Sequence, residues 1–190
     1  MTIVTATINI VNVVASAALE HNIDLNALVR IFPNVEYRPR QFPGVIFRLK
    51  KPKTATLIFG SGKMVCTGAK SENKAKEALE RVIGRLKDGG MNILGKMTIK
   101  IVNIVASASL GGTIDLVQLY EFERGMGGRI IYEPEQFPGL IYRMNDPRAV
   151  ILIFASGKLV CTGARQEEDA YKAVNKLHQK LEDENLIFYE

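Results

Sequence analysis

The sequence predicts an α+β chain in which one unit occurs twice, each copy an antiparallel set of strands with helices against one face. Three observations predict it. Residues 41–69 read QFPGVIFRLKKPKTATLIFGSGKMVCTGA and residues 136–164 read QFPGLIYRMNDPRAVILIFASGKLVCTGA, with 18 of 29 paired positions identical at a constant offset of 95. Self-similarity at a fixed offset marks a duplication. Segments rich in β-branched residues, in and before each copy, have strand character. Each copy closes on a segment whose apolar residues recur at helical spacing. The expected halves are residues 1–95 and 96–190.

In chain order, residues 3–18 are apolar and β-branched with Asn9 and Asn12 among them, which predicts a strand, and residues 98–110 are its counterpart. Asp24 can cap a short helix carrying Leu25, Leu28, Val29 and Phe32, and Asp115 can do so before Leu116 and Leu119. Within the duplicated stretch, Pro39, Pro43 and Gly44 punctuate one strand and Lys51-Pro52-Lys53 turns into another. A hairpin follows, rising through residues 57–59, turning at Gly60-Ser61-Gly62-Lys63 and returning through residues 64–67. An amphipathic helix ends each unit. Ala75, Ala78, Leu79, Val82, Ile83 and Leu86 form its stripe in the first copy, with Ser71 as N-cap; Ala170, Ala173, Val174, Leu177 and Leu181 form it in the second.

Composition bounds the function. At 190 residues and 47% hydrophobic, the chain can build one sizeable core or two small ones. Its apolar runs fall short of the roughly 20 residues of a membrane span, and residues 1–10 lack the pattern of a signal peptide, so an intracellular, non-membrane protein is expected. Residues 1–95 hold 14 Lys and Arg against 7 Asp and Glu, a balance of +7; residues 96–190 hold 11 against 13, a balance of −2. A basic chain leans towards a polyanionic partner, concentrated here on the first half.

No chemistry-bearing set emerges. Cys66 and Cys161 hold the same place in each copy, without a second cysteine or a histidine at ligand spacing, and read as buried strand residues rather than metal ligands. His21 and His178 are isolated; His178 falls where Ile83 stands in the first copy, a structural place on a helix edge. Gly60-Ser61-Gly62-Lys63-Met64 resembles a phosphate loop only superficially, because that motif needs Gly-Lys-Ser or Gly-Lys-Thr leading into a helix. With no acid–base pair, nucleophile, metal set or cofactor motif, no enzyme is expected.

A sheet with helices on one face exposes the other, so the question becomes what that face touches. Residues two apart in a strand share a face. Leu57 goes with Phe59 and Val65 with Thr67, as Leu152 goes with Phe154 and Val160 with Thr162, while Met64 and Cys66 point beneath the helices. The open face is therefore apolar with few charges. The alternative the pattern leaves open is a second core packed on another subunit, a homodimer of the free protein.

The repeated QFPG(V/L)I(F/Y)R followed by LIF-x-SGK-x-VCTGA, each copy preceded by an Asn-bearing strand (Val11-Asn12-Val13-Val14 and Val102-Asn103-Ile104-Val105), resembles the TATA-box-binding protein family over essentially the whole chain. The near-symmetry of the halves resembles archaeal members more than eukaryotic ones, which implies cytoplasm and nucleoid; a eukaryotic member would be nuclear. The resemblance implies a saddle: two pseudo-symmetric repeats forming one curved antiparallel sheet whose concave face meets DNA, with helices on the convex face. It also implies a general transcription initiation factor that binds the TATA element of double-stranded promoter DNA in the minor groove, kinks it, and recruits transcription factor B and RNA polymerase. The family is itself the standing example of minor-groove wedge insertion, so the kink follows from the resemblance and not from the residues. A physical fit exists nonetheless, since an A·T minor groove displays acceptors and lacks guanine's protruding amino group.

Residue by residue, the resemblance implies wedges at Phe42 and Phe59 in the first copy and at Phe137 and Phe154 in the second. It implies groove-reading amides at Asn12 and Asn103 beside Thr67 and Thr162, and apolar contacts from Val14, Leu57, Val65, Val105, Leu152 and Val160. Phosphate contacts are implied for Arg48, Lys63, Lys70, Arg143, Lys158 and Arg165. Glu133 and Glu135, in the loop YEPEQF, match the family's acidic docking loop for transcription factor B. Arg38 and Arg40 reverse that charge in the first copy, YRPRQF, and either add phosphate contacts or stand solvated. The runner-up class is an interaction or RNA-binding module on the same fold, although the glycine-aromatic signature of the common RNA-recognition module is absent. Two departures remain: four extra residues near Gly125-Met126-Gly127-Gly128, expected as a loop insertion, and an apolar end, Asn185-Leu186-Ile187-Phe188-Tyr189-Glu190, expected to pack somewhere unspecified.

Overall fold

A computed structural model describes residues 4–190. In chain order it contains β1 (Thr7–Ala18), α1 (Leu25–Ile31), β2 (Glu36–Tyr37), β3 (Val45–Lys50), β4 (Lys53–Ile58), β5 (Lys63–Ala69) and α2 (Glu72–Asp88). The series then repeats as β6 (Thr98–Ser109), β7 (Thr113–Ile114), α3 (Leu116–Gly125), β8 (Ile130–Ile131), β9 (Leu140–Met144), β10 (Ala149–Ile153), β11 (Lys158–Ala164) and α4 (Glu167–Asp183), with β12 (Ile187–Phe188) last. The hydrogen-bonded strand order is β2-β3-β4-β5-β1-β6-β11-β10-β9-β8, a ten-stranded sheet, with β12 and β7 forming a separate pair.

By contact density the chain divides into two compact units, a continuous one of residues 12–102 and a split one of residues 1–11 with 103–190. Both long strands, β1 and β6, pass from one unit to the other, changing over at Val11/Asn12 and Val102/Asn103.

In the continuous unit α2 packs on β3, β4 and β5. Its whole apolar stripe is buried, from Ala75 to Leu86, against Val13, Phe47, Ile58, Met64 and Cys66 in the core. Full burial of a Leu, Ile or Val side chain contributes about 1.5–3 kcal/mol, so this stripe, more than intrinsic propensity, holds the helix. Ser71 caps it as the sequence predicts, its hydroxyl accepting from the Lys74 amide at 3.0 Å. In the split unit α4 packs on β10 and β11 with Ala170, Ala173, Val174, Leu177 and Leu181 buried. It has no side-chain cap; Glu167, Glu168 and Asp169 in its first turn complement the helix dipole instead. Asp24 and Asp115 cap α1 and α3, each accepting an amide hydrogen bond at 3.0 Å.

The structure revises three expectations and gives a fourth its place. The first strand begins at Thr7 rather than at residue 3, which lies outside the described residues. Lys63 belongs to β5 and not to the turn, because its carbonyl already accepts from the Phe59 amide at 2.9 Å. The four-residue excess is not purely a loop: α3 has 10 residues where α1 has 7, and only the remainder forms a loop. Glu123, in the last turn of the longer helix, is buried. Finally, the apolar C-terminus has a definite place, with Ile187 and Phe188 pairing antiparallel to Ile114 and Thr113.

Candidate nucleic-acid interface

Register sorts the open face into rows. In the continuous unit Ile46, Leu57, Val65 and Ser16 are cross-strand neighbours, and Arg48, Ala55 and Thr67 form the next row. The split unit repeats this with Ile141, Leu152, Val160 and Ser107, then Arg143, Val150 and Thr162. Alternate residues Met64, Cys66, Leu159 and Cys161 are buried on the helix side. Burial pushes the Cys161 thiol up to about 11 and raises that of Cys66, as fits inert packing residues. Most of the apolar face is neither buried nor fully exposed, Val14, Leu57, Val65, Val105, Leu152 and Val160 among it. Ile46, Ile141, Ala55 and Val150 belong to this face too, and strand alternation could have found them.

Each unit holds one amide clamp. The Asn12 carbonyl oxygen accepts from the Gly68 backbone N–H at 2.7 Å, and its Nδ2 donates to the Thr67 hydroxyl at 3.1 Å. Asn103 repeats this with Gly163 at 2.8 Å and Thr162 at 3.2 Å. The cause is a β-bulge: Val13 pairs with Ala69 but Ala15 with Cys66, so β5 carries one extra residue, and β11 does likewise opposite β6. Gly68 and Gly163 adopt φ of 98° and 94°, a region glycine occupies without penalty, and the bulge turns their N–H groups out of the ladder. An amide flip would set NH₂ against N–H, so the orientation is fixed. Of the two N–H bonds on each Nδ2, one serves threonine and one remains to donate.

The phenylalanines form two matched pairs. Phe42 and Phe59 meet edge to face with centroids 5.7 Å apart, and Phe137 and Phe154 do so at 5.9 Å. Phe42 is 36% exposed and Phe137 39%. Identical turns set them up: the Gln41 and Phe42 amides both donate to the Arg38 carbonyl, and those of Gln136 and Phe137 to that of Glu133, all at 2.9 Å. The turn backbone is thus common to the two loops although Arg38 and Arg40 oppose Glu133 and Glu135 in charge, and all four side chains are exposed.

Arg48, Lys63, Lys70, Arg143, Lys158 and Arg165 are all exposed. Arg48 pairs with Glu36 at 3.4 Å, with both side chains more than half exposed, a contact worth at most about 1 kcal/mol and easily exchanged for a phosphate. Beside the first hairpin a shallow depression is lined by Phe59, Lys63, Val65, Thr98 and Lys100; its counterpart is lined by Phe154, Lys158, Val160, Thr7 and Asn9. Lys100 adds a cation where the other copy has Asn9. Among the described residues no helix is long and apolar enough to cross a membrane.

His178 is buried, its Nε2 2.7 Å from the Tyr189 hydroxyl, which donates to Glu182 at 2.6 Å and so ties the chain end to α4. His21 accepts the Leu94 amide at 3.0 Å and fastens the segment after α2 in the same manner. Both histidines are structural, as their isolation in the sequence indicates.

The described geometry has clear relatives. The profile of a family described as transcription factor TFIID, or TATA-binding protein, matches residues 7–88 and again 98–184. The TATA-box-binding protein of Sulfurisphaera tokodaii is 55% identical over 93% of this chain and 87% of its own length. That of Archaeoglobus fulgidus is 49% identical over 92% of this chain and 94% of its own. The solved structure of the Methanococcus jannaschii protein superposes with a TM-score of 0.81 at 48% identity, covering 93% of this chain and 98% of that one. Two profile matches on a duplicated chain, relatives near half identity over nearly full length, and a shared α+β fold agree: the chain belongs to the TATA-binding protein family.

Proposed function

We propose that this protein is a general transcription initiation factor that binds the TATA element of promoter DNA in the minor groove, kinks it with Phe42, Phe59, Phe137 and Phe154, and recruits transcription factor B and RNA polymerase. Its family is one of transcription factors, not enzymes. The observation that supports the reading best is the duplicated clamp: Asn12 and Asn103 each hide a carbonyl and offer a donor on an apolar strand face. A·T pairs present only acceptors to the minor groove, whereas a G·C pair adds a donor that such a site cannot accept. Apolar contact comes from Val14, Leu57, Val65, Val105, Leu152 and Val160, with Thr67 and Thr162 completing the clamps. The exposed ring pairs supply wedges, whose cost of a few kcal/mol per unstacked step is offset by the surface that bent DNA can contact.

Arg48, Lys63, Lys70, Arg143, Lys158 and Arg165 would neutralise phosphates. Six such contacts give a slope of log K against log salt of about −5; a slope near zero removes the assignment. Glu133 and Glu135 would receive transcription factor B, so their joint reversal to lysine weakens that partner and spares binary DNA binding.

The deciding experiment is a fluorescence-bend titration of an end-labelled TATAAA duplex with wild type and with all four phenylalanines changed to alanine. Bending by wild type that collapses in the variant supports the reading. Wild type that binds without bending defeats it. Equilibrium sedimentation of the free protein tests the other occupant of the open face, a second copy.

A further inference from the structure

We propose that Gly44 and Gly139 are the positioning residues of the two phenylalanine pairs, each a bare backbone seat on which both rings of its pair lean. The inference rests on the wedge reading above. A Cβ on Gly44 would lie 2.8 Å from Cε1 of Phe42 and 3.1 Å from Cε1 of Phe59. On Gly139 it would lie 2.8 Å from Cε1 of Phe137 and 3.0 Å from Cε1 of Phe154. Both glycines are themselves buried beneath the rings. Neither is among the glycines with positive φ, so the backbone alone accepts any residue at these places. The need for glycine is steric, and what the side chain would strike is the pair of wedges.

The surroundings decide which part gives way. The stems of both rings are anchored, Phe42 by its amide bond to the Arg38 carbonyl and Phe59 by its bond to the Lys63 carbonyl, each at 2.9 Å. Pro43 fixes the backbone between Phe42 and Gly44. On the remaining side a Cβ at Gly44 would meet the Ile58 carbonyl oxygen at 3.3 Å, a strand atom that cannot retreat. The rings are the yielding part, because Phe42 is exposed and Phe59 only half-buried, and a methyl group would turn them out of edge-to-face contact. The wedges therefore owe their pose to the absence of a side chain two residues after the first of each pair, in the twice-written Phe-Pro-Gly.

The test uses the full chain and TATAAA duplexes carrying 2-aminopurine, whose fluorescence rises on unstacking, at the first or the last base step. Wild type is expected to raise the signal at both. Gly44→Ala and Gly139→Ala are each expected to cut the summed rise roughly in half, and the double variant to abolish it, as independent sites should. Gly60→Ala is the control, since a Cβ there meets only the Ile23 carbonyl oxygen at 3.7 Å, and it should match wild type. A double variant that melts and unstacks like wild type overturns the proposal while leaving the wedges in place. Wild type that unstacks neither step overturns the wedge reading and this inference with it. Should a glycine variant fail to fold, wild-type nuclear Overhauser contacts from the Gly44 α-protons to both rings decide, and their absence overturns the proposal.

Discussion

In the continuous unit the Arg85 guanidinium of α2 lies over two rings, 5.9 Å from the centroid of Phe32 and 5.1 Å from that of Phe47. The matching residues of the split unit are Lys180, Glu123 and Tyr142, and there the ammonium of Lys180 pairs with the Glu123 carboxylate beside the Tyr142 ring. Glu123 is only 2% exposed. The four extra residues enclose it: the Gly128 amide donates to the Glu123 carbonyl at 2.7 Å, and a Cβ at Gly128 would lie 2.5 Å from the carboxylate. Duplication has kept a cation over two aromatic rings, Lys180 lying 5.8 Å from the Phe122 centroid and 5.6 Å from that of Tyr142, and has added a buried acid to its partners. A shared backbone preserves where a charge is needed, and the surrounding packing decides how it is held.

The largest test of this contrast is a pair of substitutions. Lys180→Met leaves a buried carboxylate unpaired and should lower stability by about 3 kcal/mol. Arg85→Met removes only an exposed cation–π contact, worth about 0.5–1 kcal/mol. Denaturant midpoints of the two variants check this, and equal losses would mean that the acid is not the difference.

The tails offer a second contrast. Ile187, 7% exposed, should cost about 2 kcal/mol on truncation to alanine. His21→Ala, which frees one backbone amide on a partly exposed segment, should cost about 1 kcal/mol and speed hydrogen exchange at Leu94. If the order reverses, the two tails are not held as described.

A smaller effect concerns Tyr189. Burial, then the neighbouring Glu182, pushes its hydroxyl up to about 12 from an ordinary 10.0. A folded value raised above the unfolded one stabilises fully below about 10 and is lost as pH climbs through about 12. Absorbance titration should show a late-ionising component that is lost in Tyr189→Phe. The smallest expected difference lies between the cysteines. Burial raises both thiols, but the neighbouring Thr56 and Thr54 hydroxyls oppose this at Cys66, so Cys66 should react first with a thiol reagent under native conditions.

Much of this was legible in the chain. The constant offset exposed the duplication, strand alternation placed Leu57, Val65 and Thr67 on one face, and helical spacing named every buried residue of the α2 stripe. Four things were not legible. The Asn12 clamp depends on a bulge, and a bulge is a matter of register that no local pattern records. The Gly44 seat depends on Phe59 returning across a hairpin, although the repeated Phe-Pro-Gly was a signal that glycine mattered. Glu123 carries no signal of burial in the sequence, because its cation, Lys180, lies 57 residues away and its cover, Gly128, acts through the way the loop folds back. The C-terminal strand pairs with a two-residue partner too short to carry any pattern.

The clamps have a consequence for direction. Asn12 and Asn103 are locked the same way by the same kind of bulge, so on the proposed reading of the groove each returns the same answer from the same chemical letter. Two identical detectors carry no arrow, and a chain built only of such duplicates would take a promoter equally well forwards or backwards. Any sense of upstream and downstream must be written where the copies have drifted apart, and the loops that bear Arg38 and Arg40 in one copy and Glu133 and Glu135 in the other are where that drift is a full reversal of sign.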